Sequence, residues 1–139
     1  MHQVRRDIPI AELAGFLERP ITAVLATFRV DGTVLLSPVW HEWRDGGFNV
    51  GASRGNGHVV NIRRDPRVSL VVPGQEPPWI GVEIRCEARI HEDGVDEVVR
   101  RIAARYEGRE RPPEEYSDSV VLRLDPGELR TWDFADGEG

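Results

Sequence analysis

The chain predicts an α+β domain built on an antiparallel barrel of six or seven strands with flanking helices. Three observations carry that prediction. Short apolar or alternating runs recur along the sequence, separated by turn signals at Asp31-Gly32, Asp45-Gly46-Gly47 and Pro126-Gly127. The run Trp79–Ile90 alternates cleanly: Ile80, Val82, Ile84, Cys86, Ala88 and Ile90 fall on one side, while Glu83, Arg85, Glu87 and Arg89 fall on the other. That is the pattern of a half-buried antiparallel strand. Helical spacing is confined to one stretch before the strands, one between the third and fourth strands, and one before the last pair.

The elements follow in order. Asp7 suits an N-cap and Pro9 a first helical turn, with Ile10, Leu13, Ala14 and Leu17 as the apolar face and Pro20 as the stop. Ile21–Arg29 is a β-branched strand, and Thr33–Trp43 is its hairpin return. Pro38 inside that return removes a backbone donor, which places the strand at an edge or at a bulge. Phe48–Ala52 is the third strand, Gly57–Arg64 a short helix, and Val68–Val72 a largely buried fourth strand. After the alternating strand, Val95–Tyr106 is an amphipathic helix with Val95, Val98, Val99, Ile102, Ala103 and Tyr106 on one face. Ser119–Leu124 and Glu128–Phe134 close the chain as strands, and residues 134–139 are expected to fray. The 139 residues are expected to form one domain, 1–139.

The stretch Ser53–Arg67 (SRGNGHVVNIRRDPR) carries the chemistry. Four arginines less one aspartate give it +3 in a chain of net charge -6. A basic island in an acidic protein asks for an anionic partner. Its glycine turn leads into a helix start, where backbone N–H groups bind phosphate or carboxylate. Arg54 and His58 are the candidate anion contacts, whereas Arg63, Arg64 and Arg67 read as a solvated helix end.

Composition excludes several classes. All 18 basic residues are arginine, so neither a Schiff-base lysine nor a Walker lysine is available. The single cysteine forms no internal disulfide, fits a reducing, cytoplasmic setting, and on the inward face of its strand reads as packing. His41 and His91 have no partners at metal-ligand spacing, so no metal site is expected. The acidic balance without a basic stripe argues against nucleic acid. No apolar run of membrane-spanning length and no signal-peptide core is visible, so no membrane partner is expected.

Three segments, ITAVLATFRVDGTVLLSPVWHEW, ASRGNGHVVNIRRDPRVSLVV and GVEIRCEARI, resemble the split β-barrel flavoproteins of the pyridoxamine 5'-phosphate oxidase-like superfamily. The likeness is nearest to the small branch that includes deazaflavin (coenzyme F420) reductases. It spans most of the domain, in the same order, and the NIRRDPRVSL run is its most specific part. The resemblance implies a homodimer with a flavin-type cofactor, coenzyme F420 or FMN, in grooves between subunits. The ring would lie near Ser37, Pro38, Val39, Ala52 and Ser53, and the phosphate near Arg54, Gly55, Asn56, His58 and Asn61. Trp79 and Trp132 are candidates to approach the ring, although packing is the default for every tryptophan here. Relatives commonly carry a lysine where His58 stands, and a histidine is mostly neutral at pH 7. The implied activity is hydride transfer to a small molecule. A non-catalytic protein of the same fold that binds or sequesters flavin, F420 or haem is the alternative.

Overall fold

A computed structural model describes residues 4–6, 8–76, 79–109, 112, 115 and 117–134. Strand β1 is Val4–Arg6. A 3-10 turn, Ile10–Leu13, runs into the short helix α1, Ala14–Leu17. Strands β2 (Ala23–Phe28) and β3 (Val34–Val39) form the Asp31-Gly32 hairpin, with Gly32 at φ 85 as the turn requires. Strands β4 (His41–Arg44) and β5 (Gly47–Ser53) form the second hairpin. Helix α2 is Gly57–Arg64, followed by β6 (Arg67–Pro73), β7 (Ile80–Glu87) and β8 (Arg89–His91). Helix α3 is Asp96–Glu107, closed by Gly108 in the left-handed conformation at φ 71. Strands β9 (Ser119–Leu124) and β10 (Glu128–Phe134) complete the chain.

Among the described residues ten strands form two antiparallel sheets, ordered β1-β10-β7-β6-β2-β3 and β4-β5-β9-β8. This corrects the expected barrel of six or seven strands, because the hydrogen-bond ladders do not close on themselves. The reason lies in two long runs that each read as one strand. Thr33–Trp43 is broken at Trp40 and Trp79–Ile90 at Ala88. At each break the chain leaves the six-stranded sheet and enters the four-stranded one, as strands do at the corners of packed sheets. The break at Ala88 is held by a hydrogen bond from its N–H to the Pro66 carbonyl, 2.8 Å.

One cluster forms the core. The larger sheet contributes Leu25, Leu70, Val72, Val82 and Ile84; the smaller contributes Phe48, Val50, Leu122 and Leu124. Leu13, Phe16 and Leu17 join it from the N-terminal helical turns, and Val59 and Ile62 from α2. Ala14, expected on the apolar face of the first helix, is exposed, and Phe16 is buried in its place. The proposed cap Asp7 and residues 135–139 of the tail lie outside the described residues.

Pro38 sits on an edge strand without a bulge, since the β2–β3 register runs unbroken through Val24↔Pro38. The Arg29 N–H donates to the Thr33 carbonyl at 2.8 Å. Antiparallel pairs alternate from that bond. Leu25/Ser37 and Ala23/Val39 are therefore hydrogen-bonded pairs, and Val24/Pro38 is not. The missing N–H of Pro38 falls on the open side of β3 and costs no ladder bond.

Helix α3 is fastened to the β3–β4 corner by polar contacts. Tyr106 donates its hydroxyl hydrogen to the Ile21 carbonyl (2.7 Å) and accepts from the His41 N–H (3.3 Å). Its ring stacks on Trp40, centroids 4.8 Å apart and planes 6° apart. Arg105 donates to the His41, Glu18 and Arg19 carbonyls. Arg101 makes a two-pronged contact with Glu42 at 3.0 and 2.8 Å, and Asn49 adds a third donor at 2.8 Å.

Candidate functional site

Strand β5 ends at Ser53, and the chain turns through Arg54-Gly55-Asn56 into α2. Asn56 adopts the extended conformation of an N-cap but makes no side-chain cap. Its carboxamide oxygen turns backward and accepts the Ser53 N–H at 2.7 Å, while its own N–H donates to the Ser53 carbonyl at 2.9 Å. The first turn of α2 is thus left without the oxygen that usually satisfies it. Helix α2 itself follows from its apolar spacing, with Val59 and Ile62 buried, and from Arg63 and Arg64 in the last turn.

The start of α2 stands between two hollows. One, of about 220 Å³, lies under α3; Trp40, Ala52, Ser53, Asn56, Glu115 and Ser119 line it. The other, of about 520 Å³, is shallow and apolar, formed where Gly57, Val60 and Asn61 face Val30 and Leu35 of the β2–β3 hairpin. Helix and strand are close there: a Cβ on Gly57 would lie 3.2 Å from Leu35 Cδ2.

Ala52, Ser53 and Asn56 line one hollow, with Arg54 and Gly55 in the turn between them. The other candidates are dispersed. Asn61 is 8% exposed and donates its amide to Thr27 Oγ1 at 3.1 Å, so this group supports the helix from within. Val39 is a core residue. Ser37 is half-buried on β3, and Pro38 is exposed on the opposite face. Trp79 is half-buried ahead of β7. Trp132 lies on β10, four strands from β3 in the same sheet, or about 19 Å at ~4.8 Å per strand. Its ring lies across Gly81, where a Cβ would meet it at 2.1 Å, and Arg130 sits over it at 5.1 Å.

His58 is half-buried, its Nε2 has no hydrogen-bond partner among the described residues, and burial holds its pKa below the ordinary value. It is therefore neutral at pH 7, and positive charge must come from the arginines. Each of these is engaged. Arg54 Nη1 contacts Glu92 Oε1 at 2.5 Å, and Arg63 Nη2 contacts the same oxygen at 2.8 Å. Arg54 Nε faces Asp118 Oδ1 at 3.5 Å, and the Arg54 N–H donates to the Asp118 carbonyl at 2.8 Å. The two arginines hold the Glu92 carboxyl below the usual carboxylate range, with the Arg63 hydrogen bond the largest cause. Arg64 donates to the Phe28 carbonyl. Arg67 pairs with Asp65 at 2.7 Å, which lowers the aspartate to about 2.

Glu92, Asp118, Glu115 and Ser119 are not marked as site residues by the sequence, whereas Trp40 is one of the tryptophans that could stack on a ring and does line the hollow. No local signal marks the first four, because they come from the β8–α3 turn and the approach to β9. Cys86 is half-buried, and burial pushes its thiol up to about 11, the behaviour of a packing residue. Among the described residues no group of three or more His, Cys, Asp or Glu stands ready to hold a metal ion, and no helix is long and apolar enough to cross a membrane.

Comparison with known solved structures gives three superpositions. A solved structure described as an F420 reductase superposes with a TM-score of 0.74 at 26% identity, covering 83% of this chain and 93% of that one. A conserved hypothetical protein from Mycobacterium tuberculosis superposes with a TM-score of 0.78 at 27% identity, covering 91% and 86%. The heme storage protein of Vibrio cholerae shares the fold, with a TM-score of 0.68 at 20% identity over 92% and 97%. No curated protein matches the chain. The family described as pyridoxamine 5'-phosphate oxidase matches residues 10–133, nearly the whole chain and both sheets, and the protein belongs to that family.

Proposed function

We propose that this protein is an oxidoreductase that uses a flavin-type cofactor, coenzyme F420 in preference to FMN, to move a hydride to or from a small molecule. The observation that carries the reading is the uncapped start of α2. It opens beside a hollow walled by an aromatic plane and small polar residues, in a chain 26% identical to an F420 reductase. These groups fit the proposed cofactor: N–H donors suit its phosphate, and Trp40 offers an apolar wall for a flat ring. When bound, the cofactor supplies the hydride chemistry.

The chain's own residues position and shield. Ser53, Gly55 and Asn56 shape the turn that presents the helix start, and Arg54 adds charge. Asn61 fixes α2 against β2 through Thr27. His58 contributes a neutral imidazole. The hollow of about 220 Å³ is below the ~300 Å³ at which ligand pockets begin, which supports a groove completed by a second copy. The outward face of β2 and β3 supports the same homodimer: Leu36 is 65% exposed and Val34 44%, next to Pro38, Val24, Ala26 and Phe28. Trp79 and Trp132 would then reach the ring from the partner, since the sheet order keeps Trp132 away from it within one chain.

The test is a titration of the purified protein with F420 and with FMN, read by cofactor fluorescence and by tryptophan quenching, alongside a native mass. Saturable binding by a dimer is expected. No spectral change with either cofactor well above micromolar concentrations would sink the reading.

A second reading, a protein that binds the cofactor without turnover, is favoured by one observation. Ser37 and Val39 spend their N–H groups on the ladder to β2, and Pro38 has none. That stretch therefore lacks donors for charge developing on a ring. Binding without turnover across a panel of enones, quinones and imines would select this reading.

A further inference from the structure

We infer that Glu92 is an internal competitor for the anion site, a carboxylate that occupies the Arg54–Arg63 pair and must be displaced before a phosphate can engage it. The inference rests on the anion site proposed above and adds what governs access to it. A single oxygen, Oε1, receives both guanidinium groups, at 2.5 and 2.8 Å. Those N–H groups are the ones an entering anion needs, because Arg54 Nε is turned to Asp118. Two arginines against Glu92 and Asp118 leave the cluster with no net charge, and freeing it from Glu92 restores +1.

The geometry makes Glu92 exchangeable. Its side chain is 42% exposed and those of Arg54 and Arg63 are each 43% exposed. Ion pairs this open contribute little net stability. Glu92 also sits in the short turn between β8 and α3, where its displacement disturbs no core contact. A phosphate monoester or diphosphate carries more charge and more acceptor oxygens than a carboxylate and pairs with guanidinium in a two-pronged fashion. The competitor thus works as a filter. Monocarboxylates gain nothing by replacing Glu92, whereas phosphorylated ligands do.

A role in orienting Arg54 for the ligand predicts the opposite sign. The experiment compares the wild-type protein with Glu92→Gln and Glu92→Ala, using inorganic pyrophosphate as the probe and following thermal stabilisation and tryptophan fluorescence. FMN and riboflavin form a second pair of probes. Both variants are expected to bind pyrophosphate about five- to tenfold more tightly than the wild type, as expected for losing one screened like charge at contact distance. FMN is expected to gain similarly and riboflavin not at all. Unchanged or weaker pyrophosphate binding in both variants overturns the inference. Tighter pyrophosphate binding with no binding of F420 or FMN by any form keeps the inference and removes the cofactor reading. Tight FMN binding by wild type with no gain in the variants does the reverse.

Discussion

Two arginine-rich regions of this molecule look alike in composition and behave differently. At the β3–β4 corner, Arg101 and Arg105 reach from α3 to Glu42 and to a row of backbone carbonyls. At the start of α2, Arg54 and Arg63 share Glu92. Glu42 is 5% exposed, and its partner Arg101 has a side chain only 29% exposed. The difference in solvation decides what each pair can do. A buried carboxylate cannot be left alone, so the corner is a fastening. An open one contributes little net stability, so the α2 cluster is not a fastening.

The largest effect should come from breaking the fastening. Arg101→Ala leaves Glu42 buried with Asn49 as its remaining donor. A loss of about 3 kcal/mol in urea denaturation is expected. Burial raises the Glu42 pKa, but the Arg101 and Asn49 hydrogen bonds outweigh it in the native protein, so the carboxyl sits below its ordinary value. An unchanged midpoint in the variant would erase the contrast between the two regions.

A comparable effect is expected from acid. His41 is fully buried, bonds through Nε2 to the Ile21 carbonyl at 3.0 Å, and its Nδ1 has no hydrogen-bond partner among the described residues. Burial, and then the neighbouring Arg105 charge, push its pKa down to about 4 from 6.5. The unfolded chain takes up a proton below about 6.5 that the folded chain refuses until about 4, so stability is full above this window and falls across it. The loss approaches roughly 3 kcal/mol at its acid end. Urea midpoints measured from pH 7 to pH 4 test this, and a flat profile would show that His41 ionises freely in the fold.

The smallest effect on stability is expected at the other region. Arg54→Ala together with Arg63→Ala should leave the urea midpoint unmoved while abolishing pyrophosphate binding. A fall in stability as large as that of Arg101→Ala would make the α2 cluster a second fastening and end the comparison.

What could be read from sequence divides along the same line. Both hairpins and the strands from β2 onward were legible because alternation and Asp-Gly turns are local, and α2 spans Gly57 to Arg64 as expected, whereas β1 (Val4–Arg6) carries no such signal. The corners at Trp40 and Ala88 were not, because apolar alternation continues through a strand that changes sheets. Counting charges along Ser53–Arg67 gave a free basic island, whereas the fold supplies Glu92 and Asp118 from distant segments. The corner network escaped for the same reason, since Glu42 and Arg101 lie 59 residues apart. The resemblance implies a place for Asn61 near a cofactor phosphate; the Thr27 partner of its amide lies 34 residues away and leaves no local trace.

Pro38 has a consequence for how copies of this chain meet. The open side of β3 presents the N–H groups of Val34 and Leu36, and then none at Pro38. A neighbouring strand that began to zip onto this edge would run out of donors within a few residues. At this edge the chain thus carries its own stop against growing sheets from molecule to molecule.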